Sequence, residues 1–135
     1  MQVWRKTMSV GVEEIDAQHR TLIYTIGRLQ AAMLLENGEN EVPSVIEALQ
    51  EYAKVHFRTE EKLMKDIGFP EISFHIRQHV DFSKKVESFS ESHRTGKSDL
   101  AVEILRFLND WLVRHILWSD KRYGMFLRGE PFPGE

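Results

Sequence analysis

HFRTEEKLMKDIGFPEISFHIRQH, residues 56–79, decides the fold. It sets His56 and Glu60 four residues apart, breaks at Gly68 and Pro70, then sets His75 and His79 four residues apart. A helix turns about 100° per residue, so an i,i+4 pair shares one face with its side chains about one turn apart. Each pair is therefore a preformed two-ligand claw. The break is short enough to fold the two helices back antiparallel, with both claws aimed at one place.

The same periodicity extends on both sides. From about Asp16 to Leu35, Ile15, Leu22, Ile23, Ile26, Leu29, Met33 and Leu34 recur at helical spacing, closed by Asn37-Gly38, and His19 falls in that apolar register. The second helix is expected to start near Val42-Pro43, because proline suits a first helical turn. The third presents Ile72, Ile76, Phe82, Val86 and Phe89, with His75 and His79 also inward, and fades into HRTGKSD. The fourth, from about Ser98 or Asp99, buries Ile104, Leu105, Leu108, Trp111, Leu112 and Ile116, and His115 shares that stripe. Residues 1–11 have no helical period and read as an arm anchored by Trp4. Beyond Asp120, KRYGMFLRGEPFPGE reads as a short turn or helix and a loose tail. The expected architecture is all-α: one domain over 1–135, an up-down-up-down four-helix bundle over about 12–120, the N-terminal arm, and a short C-terminal extension over 121–135.

Composition excludes several functions. The 18 Lys and Arg against 21 Asp and Glu give a net charge of -3 in mixed-sign runs, without the basic footprint of a nucleic-acid binder. With no cysteine, disulfides, thiolate metal sites and thiol catalysis are ruled out. No apolar run reaches signal-peptide length or the roughly 20 residues of a membrane helix, so a soluble, cytoplasmic protein is expected.

Five of the six histidines, with Glu60, lie in core register, and all four helices contribute. Burying so many polar groups costs several kcal/mol apiece unless each is paired or bound to metal. A metal satisfies them together, and a single tetrahedral zinc, with about four ligands, would strand the rest. His93 is the control: it lies 14 residues after His79 in a polar run and belongs to solvent. Asp120 follows His115 by five positions, about 140° around an ideal helix. Such a pair serves two neighbouring metals, or needs the helix to loosen near its end. A surface Asp beside Lys121 and Arg122 is the equally weighted alternative.

VGVEEIDAQH ending at His19, HFRTEEKLM from His56, HIRQH from His75 to His79, and WLVRHILWSDKRYG around His115 and Asp120 together resemble the single-domain bacterial members of the hemerythrin family. That resemblance implies a non-haem di-iron centre with an oxo or hydroxo bridge and O2 as ligand. His75, His79 and His115 would bind one iron, His19 and His56 the other, and Glu60 and Asp120 would bridge them. Two six-coordinate irons offer about twelve positions, of which these ligands and the bridging oxygen leave one, on the iron with two histidines. The site lacks the Glu-x-x-His units of ferritin-like di-iron proteins. Its imidazole-rich ligand set favours the reduced pair and reversible O2 binding over O–O cleavage.

Reversibility needs a dry pocket. Leu112 and Ile116 flank His115 where the family lines its oxygen pocket, Trp111 buttresses His115 from one turn away, and all three equally suit plain core packing. Asp16 and Gln18 are candidates to orient the ligand histidines. Trp118 has three compatible placements: narrowing an access route, packing on the arm, or lying on the surface. The expected function is oxygen carriage, storage or delivery, with an oxygen-consuming enzyme as a possible recipient. A module sensing O2, nitric oxide or redox state is the alternative. A di-iron peroxidase or nitric oxide scavenger ranks last, because no further acid, base or nucleophile clusters with the ligands.

Overall fold

A computed structural model describes Trp4 and residues 8–130. Four long helical segments form the bundle: α1 (Glu13–Leu34), α2 (Gly38–Ile67), α3 (Ile72–Arg94) and α4 (Leu100–Trp111), the last continued by a π-helical segment (Leu112–Asp120) and a short α5 (Lys121–Leu127). α1 packs on α2 and α4, and α3 packs on the other faces of the same two helices. The expected all-α four-helix bundle is the observed one.

Local chemistry explains the boundaries. α1 opens with Glu13, Glu14 and Asp16 in its first turn, where carboxylates complement the helix dipole. α2 ends on Gly68 at φ 68°, with Phe69 N–H donating to the Met64 carbonyl at 2.9 Å and Gly68 N–H to that of Lys65 at 3.2 Å. That paired closure needs a left-handed residue, which glycine adopts without strain. One expected boundary is wrong. α2 starts at Gly38, several residues before Val42-Pro43, so Pro43 lies inside the helix. Tertiary contacts drive the early start. A Cβ at Gly38 would stand 2.7 Å from Met33 Cγ and 3.2 Å from Ala101 Cβ, and Glu39 Oε1 accepts the Ala101 N–H at 3.0 Å, capping α4.

Trp4 packs against the main core with the Arg20 guanidinium 5.4 Å from its ring centre, which supplies the expected anchor. Val10, fully buried, docks where α5 lacks a side chain: a Cβ on Gly124 would meet the Val10 carbonyl oxygen at 2.3 Å. The rest of the arm before Met8, and the tail over 131–135, lie outside the described residues. Among the described residues no helix is long and apolar enough to cross a membrane.

Two apolar clusters fill the bundle. The larger runs from Leu29, Val42 and Leu100 at one end to Phe57, Leu112 and Ile116, while the smaller gathers Val10, Ile15, Met64, Phe69 and Tyr123. Between them every helix crosses a polar layer. α1 passes from Ile15 through His19 to Leu22, and α2 from Phe57 through Glu60 to Met64. α3 passes from Ile72 through His75 and His79 to Phe82, and the last from Ile116 through Asp120 to Tyr123.

Candidate metal centre

The polar layer holds His19, His56, Glu60, His75, His79, His115 and Asp120, none more than 2 % exposed. Their donor atoms form two groups, each within 4.8 Å: Glu60 with His75, His79 and His115, and His19 and His56 with Glu60 and Asp120. All seven sequence-selected residues are therefore together. His93 lies exposed on α3, outside the layer, as expected.

The carboxylates stand between the two histidine sets. Asp120 Oδ1 lies 2.6 Å from His75 Nε2 and 2.9 Å from His115 Nε2, while its Oδ2 lies 2.9 Å from His19 Nε2. Glu60 Oε1 lies 2.6 Å from His56 Nε2 and 3.5 Å from His79 Nε2. The π segment is what brings Asp120 here. Its wider i→i+5 hydrogen bonding carries residues five apart to one side, so His115 and Asp120 point inward together. That excludes the surface placement of Asp120.

Several of these contacts are close without being hydrogen bonds. His19 Nε2, His56 Nε2, His79 Nε2, His115 Nε2, Glu60 Oε1 and Asp120 Oδ2 are buried with no hydrogen-bond partner, despite neighbours under 3 Å for most of them. Atoms so placed converge on a shared point rather than on each other. Neighbouring ligands of an octahedral ion at about 2.1 Å stand about 3 Å apart, so the donor set fits metal ions. Orphaned donors in a fully buried layer otherwise cost about 1–3 kcal/mol each.

Electrostatics agree. Burial pulls His75 down, but the Asp120 and Glu60 carboxylates outweigh it and raise its pKa to about 10. Burial likewise opposes the charge on His19, which Asp120 nevertheless raises, whereas burial dominates at His115 and lowers it. Both carboxylates are held ionised. Burial would raise Glu60, but His56, His75 and His79 keep it well below its usual value, and His115 and His19 do the same for Asp120 against burial and the Glu60 charge. Two anions surrounded by imidazole nitrogens form a cation site.

A surrounding shell fixes the rings. Gln18 Oε1 meets His56 Nδ1 at 2.5 Å, Glu61 Oε2 meets His79 Nδ1 at 2.8 Å, and Gln78 Oε1 meets His115 Nδ1 at 2.9 Å. Each such contact turns the opposite nitrogen toward the centre. Phe57 stacks on His79 at 3.9 Å and 3°, Trp111 on His115 at 3.9 Å and 13°, and Tyr52 on His56 at 4.7 Å and 20°. Of the two expected orienters, Gln18 serves His56 rather than the adjacent His19, and Asp16 serves no ligand. Asp16 instead accepts from Val10 N–H at 2.9 Å and Ser9 Oγ at 2.5 Å, tying the arm to α1. Leu112 and Ile116 are buried in the larger cluster beside this layer. Trp118 lies half exposed at the surface, with Arg122 5.9 Å above its ring, and it shares with His75 the lining of a cavity of about 470 Å³.

Sequence reasoning missed Tyr123, Glu61 and Gln78. Tyr123 is fully buried and its hydroxyl donates to Glu60 Oε2 at 2.6 Å. Its signal was position: three residues after Asp120, it shares a helical face with it. Glu61 and Gln78 each adjoin a ligand candidate in sequence but read as parts of exposed polar runs.

Fold and site together define a helical-bundle cation-binding protein. A profile of the hemerythrin HHE cation binding domain matches residues 10–127. The chain is 33% identical over 129 residues to a bacteriohemerythrin of Clostridium acetobutylicum, covering 91% of this chain and 98% of the relative. It is 32% identical over 121 residues to one from Stenotrophomonas maltophilia, covering 90% and 78%. A myohemerythrin of Theromyzon tessulatum is 26% identical over 123 residues, covering 89% and 88%. The chain belongs to the hemerythrin family.

Proposed function

We propose that the protein binds O2 reversibly at a non-haem di-iron centre, and so carries, stores or delivers oxygen in the bacterial cytoplasm, with an oxygen-consuming enzyme as recipient. His75, His79 and His115 would hold one iron and His19 and His56 the other. Glu60 and Asp120, each close to histidines of both sets, would be shared between them. The carrying observation is the asymmetry of three histidines against two around shared carboxylates, in a layer sealed between two apolar clusters. When bound, a ferrous pair supplies the electrons that O2 accepts on binding and returns on release.

The chain's own residues do the rest. Leu112, Ile116 and Trp111, buried in the larger apolar cluster, would keep water from the centre, because an apolar lining gives water no partners. Gln18, Glu61 and Gln78 hold three rings in register, and the Tyr123 hydroxyl donates to Glu60 Oε2, the oxygen that also faces His75 Nε2 at 3.7 Å. The Tyr123 hydroxyl is engaged by Glu60, and burial and that carboxylate push its pKa up.

Repeated exposure of the anaerobically reduced protein to O2, followed by its removal, tests the proposal. Two irons per chain and a visible charge-transfer band that appears and vanishes over many cycles are expected. Immediate irreversible oxidation would overturn oxygen carriage and favour a sensor or enzyme.

A further inference from the structure

Outside the buried layer, α2 and α3 leave between them an open groove of about 750 Å³ whose floor includes Phe57 and His79. The small side chains of Ala53 and Ser83 leave this space. Its charge contrasts with the rest of the molecule. Lys54, Arg58, Lys62, Lys65 and Lys84 line it against two acids, Glu61 and Glu87, in a chain whose net charge is -3. Lys54, Arg58, Lys65 and Lys84 are exposed and form no ion pair among the described residues. Lys62 pairs with Asp66, but at 77% and 57% side-chain exposure that pair is weak.

We infer that this groove docks an acidic surface of a partner protein. The four cations of α2 follow one another at spacings of four, four and three residues along about 16 Å of helix. A stripe of that length matches an acidic segment rather than a point anion. Nucleic acid fits worse, because its backbone presents phosphates alone to Glu61 and Glu87, whereas an acidic protein segment can set a cationic or apolar side chain against them. The groove is also where the centre's support meets solvent: Glu61, 36% exposed, engages His79 Nδ1 at 2.8 Å. A docked partner would rest against the residue that orients a ligand of the proposed di-iron centre, so its place in oxygen handling rests on that reading.

The probe is a fluorescein-labelled, glutamate-rich helical peptide of about 16 Å or longer, titrated into the metal-loaded full chain and followed by anisotropy. Two variants accompany the unmodified protein: the groove variant Lys54→Glu, Arg58→Glu, Lys65→Glu, Lys84→Glu, and a control, Lys85→Glu, Arg106→Glu, Arg114→Glu, Lys121→Glu. The groove variant should bind at least about tenfold more weakly than both others, with an unchanged circular dichroism melt, and binding to the unmodified protein should weaken about tenfold from low to physiological salt. Equal binding by the groove variant, or tighter binding of a DNA oligonucleotide of the same charge, would overturn the inference. Iron content measured on the same samples separates the two claims, since peptide docking with a single iron per chain would sink the di-iron reading alone.

Discussion

The stretch from Leu100 to Asp120 is one continuous helix with two periods, and its halves do different work. The α-helical half buries Leu100, Ala101, Ile104, Leu108 and Trp111, an apolar stripe at ordinary spacing. The π-helical half buries Leu112, His115, Ile116, Ser119 and Asp120. Apolar packing tolerates any register that keeps a stripe inward. Two polar ligands five residues apart do not, because one would face solvent in an α-helix. π geometry is poorer per hydrogen bond and is found mostly at functional sites. The site, and not the core, dictates this segment's conformation.

The largest expected break in that comparison is at the polar layer itself. Glu60→Ala removes a carboxylate shared by both donor groups, and iron analysis should find stable loading of two irons lost, whereas normal content with a normal oxygenated spectrum would refute its role. Leu112 and Leu108, one turn apart on either side of the change in period, then separate pocket from core. Leu112→Asn should accelerate oxidation of the oxygenated protein several-fold by giving water a partner in the pocket. An unchanged rate would mean that Leu112 is merely packing. Leu108→Ala should instead lower stability by about 2–5 kcal/mol in denaturant melts, with iron content and oxidation rate unaltered.

A smaller effect tests the electrostatics. With its pKa raised to about 10, His75 carries a proton at neutral pH in the absence of metal and must lose it to become a ligand. Metal uptake should therefore release about one proton from this group at pH 7 and tighten as pH rises toward 10, a dependence that an indicator dye in weak buffer can follow. Affinity that is flat or falling over that range would contradict the assigned role of His75. Trp118→Ala should change stability least, within about 0.5 kcal/mol of the unmodified protein in denaturant melts, because that ring lies half exposed.

Much of this was legible because helical registers are short-range. His56 with Glu60, and His75 with His79, are placed by i,i+4 spacing alone, and His19 and His115 by the stripes they interrupt. Asp120 was ambiguous because its five-residue spacing from His115 suits a surface carboxylate beside Lys121 and Arg122 as well as a metal ligand. The structure shows a loosened helix that sets one carboxylate between two histidine sets. What stayed hidden depends on contacts between elements. The early start of α2 follows from Gly38 and Glu39 meeting Ala101 across the bundle, which no local signal reports. Tyr123 reaches Glu60 only because α5 continues inward beneath the arm. Gln18 serves a histidine on another helix, so adjacency to His19 pointed to the wrong ring.

The central claim is that seven residues in one buried layer hold two irons, three histidines on one and two on the other. Anomalous diffraction at the iron edge from crystals of the metal-loaded protein tests it most directly. Two peaks about 3.5 Å apart are expected, one among His75, His79 and His115 and the other between His19 and His56, with Glu60 and Asp120 spanning both. A single peak, or a second one outside this layer, would contradict it.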